Sequence, residues 1–323
     1  MDNFAPILIP TLNRFEHLKR CVKSLISCAY ADKTDLYISL DYPLIEAHWK
    51  ARKEIETYIE NIHGFRSVNV IKRNENFGAT KNFYASLAEV FEKHDRVIFS
   101  EDDNEFSPNF LDFINKGLEK YKDNPFIFSV SGYNYPIKVP ANYDSNIYSW
   151  YGFSAWGVGL WKDKWQKIDW NEDSLLENVR IFLRKFNEII KINKIANQYI
   201  SALIYMLEIN KLHGDGYICM YQFLNNMYSV FPKISRVRNL GHDGTGINCG
   251  TLEYDIYKGQ ELYSDSCSYE LPTAIKPDKE INKLLSSYFK TSYKSQIKNA
   301  AKLLLIYANL YNKCELKRKT NGF

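Results

Sequence analysis

The chain of 323 residues sets 42 lysines and arginines against 38 acids, for a formal charge of +4, and 45% of it is apolar. That length suits one large domain or two small ones, and no stretch approaches the roughly 18 apolar residues needed to cross a bilayer. The six cysteines make no CxxC pair and no zinc-spaced cluster with histidine, which disfavours disulfides and a structural zinc alike. The N-terminus carries an acid and no basic run, so it does not read as a secretory signal, and a cytoplasmic location is expected.

Strand and helix patterns alternate through the first part of the chain. Residues 5–10 form a short apolar run, followed by the polar turn Thr11-Leu12-Asn13, and Phe15, Leu18, Val22, Leu25 and Ala29 then recur at helical spacing. Residues 35–40 predict a second strand, ending at Asp41. A charged helix over about 45–62 closes at His63-Gly64. A third strand, 68–71, runs into Arg73-Asn74-Glu75-Asn76-Phe77-Gly78 and a helix bearing Phe83, Leu87 and Val90. The run Val97-Ile98-Phe99 predicts a fourth, buried strand that ends in Glu101, Asp102 and Asp103. A helix from about Ser107-Pro108 and a strand over 127–130 follow. Such alternation implies a largely parallel sheet covered by helices on both faces, with ligands beyond the carboxyl ends of its strands. Asn13, Asp41, Arg73, Asn76 and the acidic trio all fall at those ends.

The trio has two readings. Three carboxylates at the mouth of a buried strand repel one another and lose solvation, and a hard cation such as Mg²⁺ or Mn²⁺ shared with a diphosphate offsets both costs. The other reading is an acidic helix start that complements the macrodipole. The convergence of polar strand ends favours the metal. Neither a G-x-G-x-x-G after the first strand nor a G-x-x-x-x-G-K-[ST] is present, which disfavours a dinucleotide-binding dehydrogenase and a P-loop NTPase.

Residues 133–151 read as irregular loop, rich in Tyr, Asn and Pro. A stretch crowded with Trp and Gly follows, from Gly152 to Trp165. Trp161 and Trp165, four apart on a predicted helix, read as core. Trp156, between Ala155 and Gly157, reads as a flat platform for a sugar ring. Residues 174–212 are helical. Asp215 then stands between two glycines, as a turn residue or a positioned base. His242 and Asp243 lie in the Gly-rich loop 238–246, where His242 is a candidate metal ligand or phosphate donor. From Pro272 onward, Phe289, Tyr293, Ile297, Ala300, Leu304 and Tyr311 share a helical stripe beside Lys290, Lys294, Lys298 and Lys302, with Lys313, Lys317, Arg318 and Lys319 beyond. The pattern fits a helix lying on an anionic membrane and equally one packed on the protein. No base-stacking module or basic groove points to nucleic acid.

In the order of these motifs the chain resembles GT-A-fold glycosyltransferases, the bacterial family 2-like enzymes and those similar to N-acetylglucosaminyltransferase I. The marks are Pro6–Arg14, Ser39–Asp41, Arg73–Asn82, Glu-Asp-Asp at 101–103, Ala155–Trp161 and Arg238–Gly246, so that the likeness runs from about Ala5 to Cys249. The resemblance implies an α/β Rossmann-like, mainly parallel sheet with helices on both faces and a C-terminal helical tail. Its expected divisions are a nucleotide-sugar half (1–132), an acceptor and catalytic half (133–271) and the tail (272–323). It implies an inverting, metal-dependent transfer from a UDP-sugar to a hydroxyl of a glycan or lipid-linked precursor. By the same likeness Pro10, Thr11 and Arg14 cradle base and ribose, Asp41 reads the uracil, and Lys81 contributes polar contacts. Asp102 sits near the ribose, Asp103 binds Mn²⁺ or Mg²⁺, Glu101 reaches the donor sugar, and Asp215 is the general base. Since Gly214 precedes Asp215 where the family has Trp, Asp243 and Asp169 stand as further candidates for the base. Two competing classes are a sugar nucleotidyltransferase, which lacks its expected Gly-rich basic loop here, and a glycan- or nucleotide-binding module without catalysis.

Overall fold

The computed structural model describes residues 4–246, 255–263, 269–273, 275–308 and 310. Cys249, Cys267, Tyr311, Cys314 and the basic residues Lys313, Lys317, Arg318 and Lys319 lie outside them. Two compact units emerge, one from residues 1–167 with 228–276, the other from 168–227 with 277–323.

The first unit holds every strand among the described residues. Its elements begin with β1 (Ile7–Thr11), α1 (Phe15–Ile26), β2 (Asp35–Leu40), α2 (His48–Ile59), β3 (Ser67–Lys72), α3 (Gly78–Lys93) and β4 (Arg96–Phe99). They continue through β5 (Asn104–Phe106), α4 (Phe110–Tyr121), β6 (Ile127–Ser131), β7 (Ile147–Trp150), β8 (Val158–Trp161), α5 (Lys162–Trp165), β9 (Tyr228–Pro232) and β10 (Val237–Asn239). The main sheet has the order β3-β2-β1-β4-β8-β6-β9-β7. Its first four strands are parallel, β8 runs antiparallel between β4 and β6, and β7 closes the far edge antiparallel to β9. This is a GT-A Rossmann-like sheet. The parallel half sends the ends of β1, β2, β3 and β4 to one side, where Thr11, Asp41, Arg73 and Glu101 follow.

Apolar periodicity explains the layers. Leu18, Cys21, Val22 and Leu25 make the buried stripe of α1, and Leu111, Ile114 and Leu118 that of α4. Helix α4 sits close on the sheet because Gly117 has no side chain; a Cβ there would fall 2.7 Å from a methyl of Val130 on β6. Past its C-terminal end Lys164, buried, donates to the carbonyls of Tyr121 (3.2 Å), Asn124 (3.0 Å) and Ile127 (2.7 Å), tying the end of α4 to the start of β6.

Several local expectations change. The acidic trio does not open a helix. A three-residue strand, β5, follows it and pairs antiparallel with β10, and α4 begins only at Phe110. Residues 147–150 are a strand rather than loop, and 158–161 a strand rather than part of a helix, since cross-strand pairing with β9, β4 and β6 overrides their local composition. Trp161 therefore ends a strand and Trp165 lies on the short α5, yet both are buried as core.

Every regular element among the second unit's described residues is a helix: α6 (Glu172–Phe182), α7 (Phe186–Ile195), α8 (Asn197–Ile209), α9 (Gly214–Leu224), α10 (Lys279–Tyr288) and α11 (Tyr293–Tyr307). Asn171, Asp278 and Ser292 cap α6, α10 and α11 with side-chain oxygens. Within this unit α10 packs on α7 and α11 on α8. Asn299 donates to Ser201 at 2.7 Å, and Lys302 pairs with Glu208.

Candidate active site

The end of β4 forms the centre of the first unit's polar cluster. Asp102 and Asp103 are both buried, and Arg14, just past β1, reaches across to them. Its Nη1 lies 3.2 Å from Asp102 Oδ1 and 2.6 Å from Asp103 Oδ2. Thr11 donates its hydroxyl to the other oxygen of Asp102 at 2.7 Å. Burial, and next the charge of Asp103, push the Asp102 carboxyl up to about 7. A buried pair of carboxylates held by a single guanidinium is short of positive charge.

The partner of Asp103 on the other side is Asn239, whose amide donates to Oδ1 at 2.7 Å. Pairing of β10 with β5 sets Asn239 opposite Asn104 and so delivers the Gly-rich loop to the acids. Gly241 lies so close that a Cβ would stand 2.1 Å from Asp103 Oδ2. Neither Asn239 nor Gly241 carried a sequence signal of its own, because strand pairing across more than a hundred residues brings them there.

The same loop is tied to α1. His17 Nε2 is 2.8 Å from Asp243 Oδ2, and Arg20 approaches His17 Nδ1 at 2.9 Å. Guanidinium is only a donor, so Nδ1 accepts, and the neutral imidazole donates Nε2–H to Asp243. Burial, then the nearby Arg14, push the His17 imidazole down, in keeping with that tautomer. Burial alone pushes the Asp243 carboxyl up, but hydrogen bonds from Thr245 and His17 outweigh it and hold it well below the usual range. Asp243 thus has the bonding of an anchor and a poor affinity for protons.

Glu101 accepts the indole N–H of Trp156 at 2.9 Å. The Trp156 ring meets Tyr133 edge-on at 4.8 Å and Tyr257 at 5.4 Å, while His242 stacks on Tyr257 at 4.5 Å. Nδ1 of His242 is buried without a hydrogen-bond partner. Among the described residues no three histidines, cysteines or acids form a ready-made metal cage. Still, the two adjacent buried carboxylates match the oxygen-donor chemistry of a divalent ion that completes its shell with phosphate oxygens.

The remaining strand-end residues form a second group around α3. Asp41 accepts the backbone N–H of Tyr42 (2.8 Å), Phe77 (2.9 Å) and Gly78 (2.8 Å), and Asn76 donates to the carbonyl of Tyr42. Arg73 donates to Asn82 at 2.9 Å and pairs with Glu89. Its guanidinium lies 4.8 Å from the centre of the Phe77 ring, with the exposed Lys81 over that ring at 3.9 Å. Pro10 is half-buried in β1. In the second unit Asp215 lies exposed in the first turn of α9, after an N-cap at His213, and Asp169 is an exposed residue ahead of α6.

Comparisons with known proteins give the family. The family model described as glycosyl transferase family 2 matches residues 7–188. Among solved structures, the mannosyltransferase PcManGT from Pyrobaculum calidifontis, in complex with GDP-Man and Mn²⁺, is similar at 13% identity and a TM-score of 0.36, over 51% of this chain and 46% of that one. TarS of S. aureus is similar at 12% identity and 0.34, over 48% and 28% of the two chains. GalNAc-T7 with UDP, GalNAc and Mn²⁺ gives 11% and 0.44, over 76% and 46%. This chain thus spans less than half the length of each, and no curated protein matches it. With a family match covering more than half its residues and a sheet of the expected order, the chain belongs to glycosyl transferase family 2, the glycosyltransferases of the GT-A fold.

Proposed function

We propose that the protein is an inverting, metal-dependent glycosyltransferase that moves a sugar from a UDP-sugar to a hydroxyl of a glycan or lipid-linked oligosaccharide precursor in surface polysaccharide synthesis. The observation that carries this reading is the buried Asp102–Asp103 pair at the end of β4, with Arg14 as its ion-pair partner among the described residues. Asp103, with His242, would hold Mn²⁺ or Mg²⁺, which when bound supplies Lewis acidity toward a departing diphosphate. Arg14 adds a second positive charge on the same side. Residues 1–132 are the nucleotide-sugar half in this reading. Pro10, Thr11 and Asp41 border the base and ribose, Asp102 the ribose, and Arg73, Asn76 and Lys81 the polar rim. Glu101 orients Trp156 beside the donor sugar, and residues 133–271 serve the acceptor.

Asp215 is the proposed general base. A carboxylate that takes the acceptor's proton as the hydroxyl attacks contributes about 10²–10⁴-fold. Attack opposite the leaving diphosphate inverts the anomeric centre, so an α-linked donor gives a β-linked product.

The test is a thermal-shift panel of nucleotide sugars with and without Mn²⁺, followed by donor turnover. A ligand that binds only the folded protein raises its melting temperature. UDP-sugars should do so only with the cation, and Asp103→Asn should abolish the shift while the fold persists. Stabilisation by Mn²⁺ and UDP that survives in Asp103→Asn would overturn the metal assignment. Full transferase activity in Asp215→Asn would overturn the base.

A further inference from the structure

Helix α11 has two faces. Asn299, Lys302 and Ile306 turn toward α8, through the Ser201 hydrogen bond, the Glu208 ion pair and burial of Ile306. The opposite face carries Tyr293 (78% exposed), Ile297 (56%), Leu304 (72%) and Tyr307 (67%), with Leu310 just beyond. A surface helix of a globular unit normally spends its apolar stripe on the core. Here the apolar stripe faces outward instead, and large exposed apolar patches mark contact surfaces.

Charge identifies what covers it. Lys290, Lys294 and Lys298 are exposed, with Lys294 and Lys298 along one edge of the stripe, and no acid occurs from 289 to 310. The sequence after 310 adds Lys313, Lys317, Arg318 and Lys319 against Glu315 alone. A second copy of this chain would bring these lysines toward one another, whereas an anionic lipid surface attracts them and accepts the apolar stripe. Tyr293 and Tyr307 suit the boundary between headgroup and acyl chain, where an amphipathic ring has both its environments. No helix among the described residues is long and apolar enough to cross a membrane, so any attachment by this element is peripheral.

We infer that the outward face of α11 docks the protein onto an anionic phospholipid bilayer, with Ile297 and Leu304 entering the interface and Lys290, Lys294 and Lys298 meeting the headgroups. This stands independently of the donor and acceptor assigned above.

Co-sedimentation of the full chain with vesicles tests it. The protein should pellet with vesicles of phosphatidylcholine and phosphatidylglycerol, far less with phosphatidylcholine alone, and salt should release it. The triple variant Lys290→Gln, Lys294→Gln, Lys298→Gln should partition about a hundredfold more weakly. Ile297→Asp with Leu304→Asp should lose binding as well, and circular dichroism and donor hydrolysis should be unchanged in both, since all these side chains are exposed. Equal pelleting with neutral and anionic vesicles, or wild-type binding by both variants, would overturn the inference. So would a dimer in free solution that Leu304→Asp dissolves without any vesicle binding, which would assign the face to a second copy.

Discussion

The carboxylate of Glu101 and the indole of Trp156 are joined by a hydrogen bond of 2.9 Å. One sits at the end of β4, the other just before β8, its antiparallel neighbour, so the sheet itself sets their approach. The bond helps fix Trp156 edge-on between Tyr133 and Tyr257. Trp156→Phe keeps the ring and removes the donor. We expect kcat/KM for the donor to fall by about tenfold, the worth of one charge-assisted hydrogen bond. Glu101→Gln, which still accepts, should retain most of the activity. Equal losses in the two variants would mean that the charge, not the orientation, matters.

The raised carboxyl of Asp102 makes the ligand-free protein sensitive to pH. Its folded value of about 7 lies above the ordinary 3.8, so the folded state binds the proton more tightly than the unfolded. The resulting stabilisation is complete below about pH 4 and is lost as the pH rises through 7, on the order of 4 kcal/mol in all. Chemical denaturation from pH 5 to 8.5 should therefore show falling stability from this group. Asp102→Asn should flatten the profile, and Mn²⁺ should stabilise the wild type more at pH 8 than at pH 6.

Gly241→Ala places a methyl where Asp103 Oδ2 now sits. Asp103 or the loop must shift, at a cost of about 1–3 kcal/mol. Because the strain falls on the site, affinity for UDP and Mn²⁺ should drop roughly tenfold or more in calorimetric titration. A change of melting temperature with unaltered affinity would place the strain elsewhere.

Lys164 offers a prediction about the fold alone. Lys164→Met retains the apolar stem and removes three hydrogen bonds, leaving the carbonyls of Tyr121, Asn124 and Ile127 without that partner. Stability should fall by about 2–4 kcal/mol in urea unfolding. Nucleotide affinity of the residual folded protein should stay unchanged.

Much of the site was legible before the structure. Short apolar runs ending at Thr11, Asp41, Arg73 and Glu101, alternating with helical patterns, announce a parallel sheet, and the ends of its strands announce a ligand. Those signals are local, written within a few residues of one another. Asn239 on Asp103, His17 on Asp243 and Trp156 on Glu101 are separated by between 55 and 226 positions. No periodicity or motif encodes such pairs; strand pairing and the packing of the late loop on α1 create them. The strands 147–150 and 158–161 escaped for the same reason, since neighbours in the sheet rather than propensity hold them extended. On α11 the sequence determined one apolar stripe and a row of lysines beside it. Only the tertiary structure decided that Asn299, Lys302 and Ile306 meet α8 while the stripe of Tyr293, Ile297 and Leu304 is left outward, because burial depends on what the rest of the chain brings to each face.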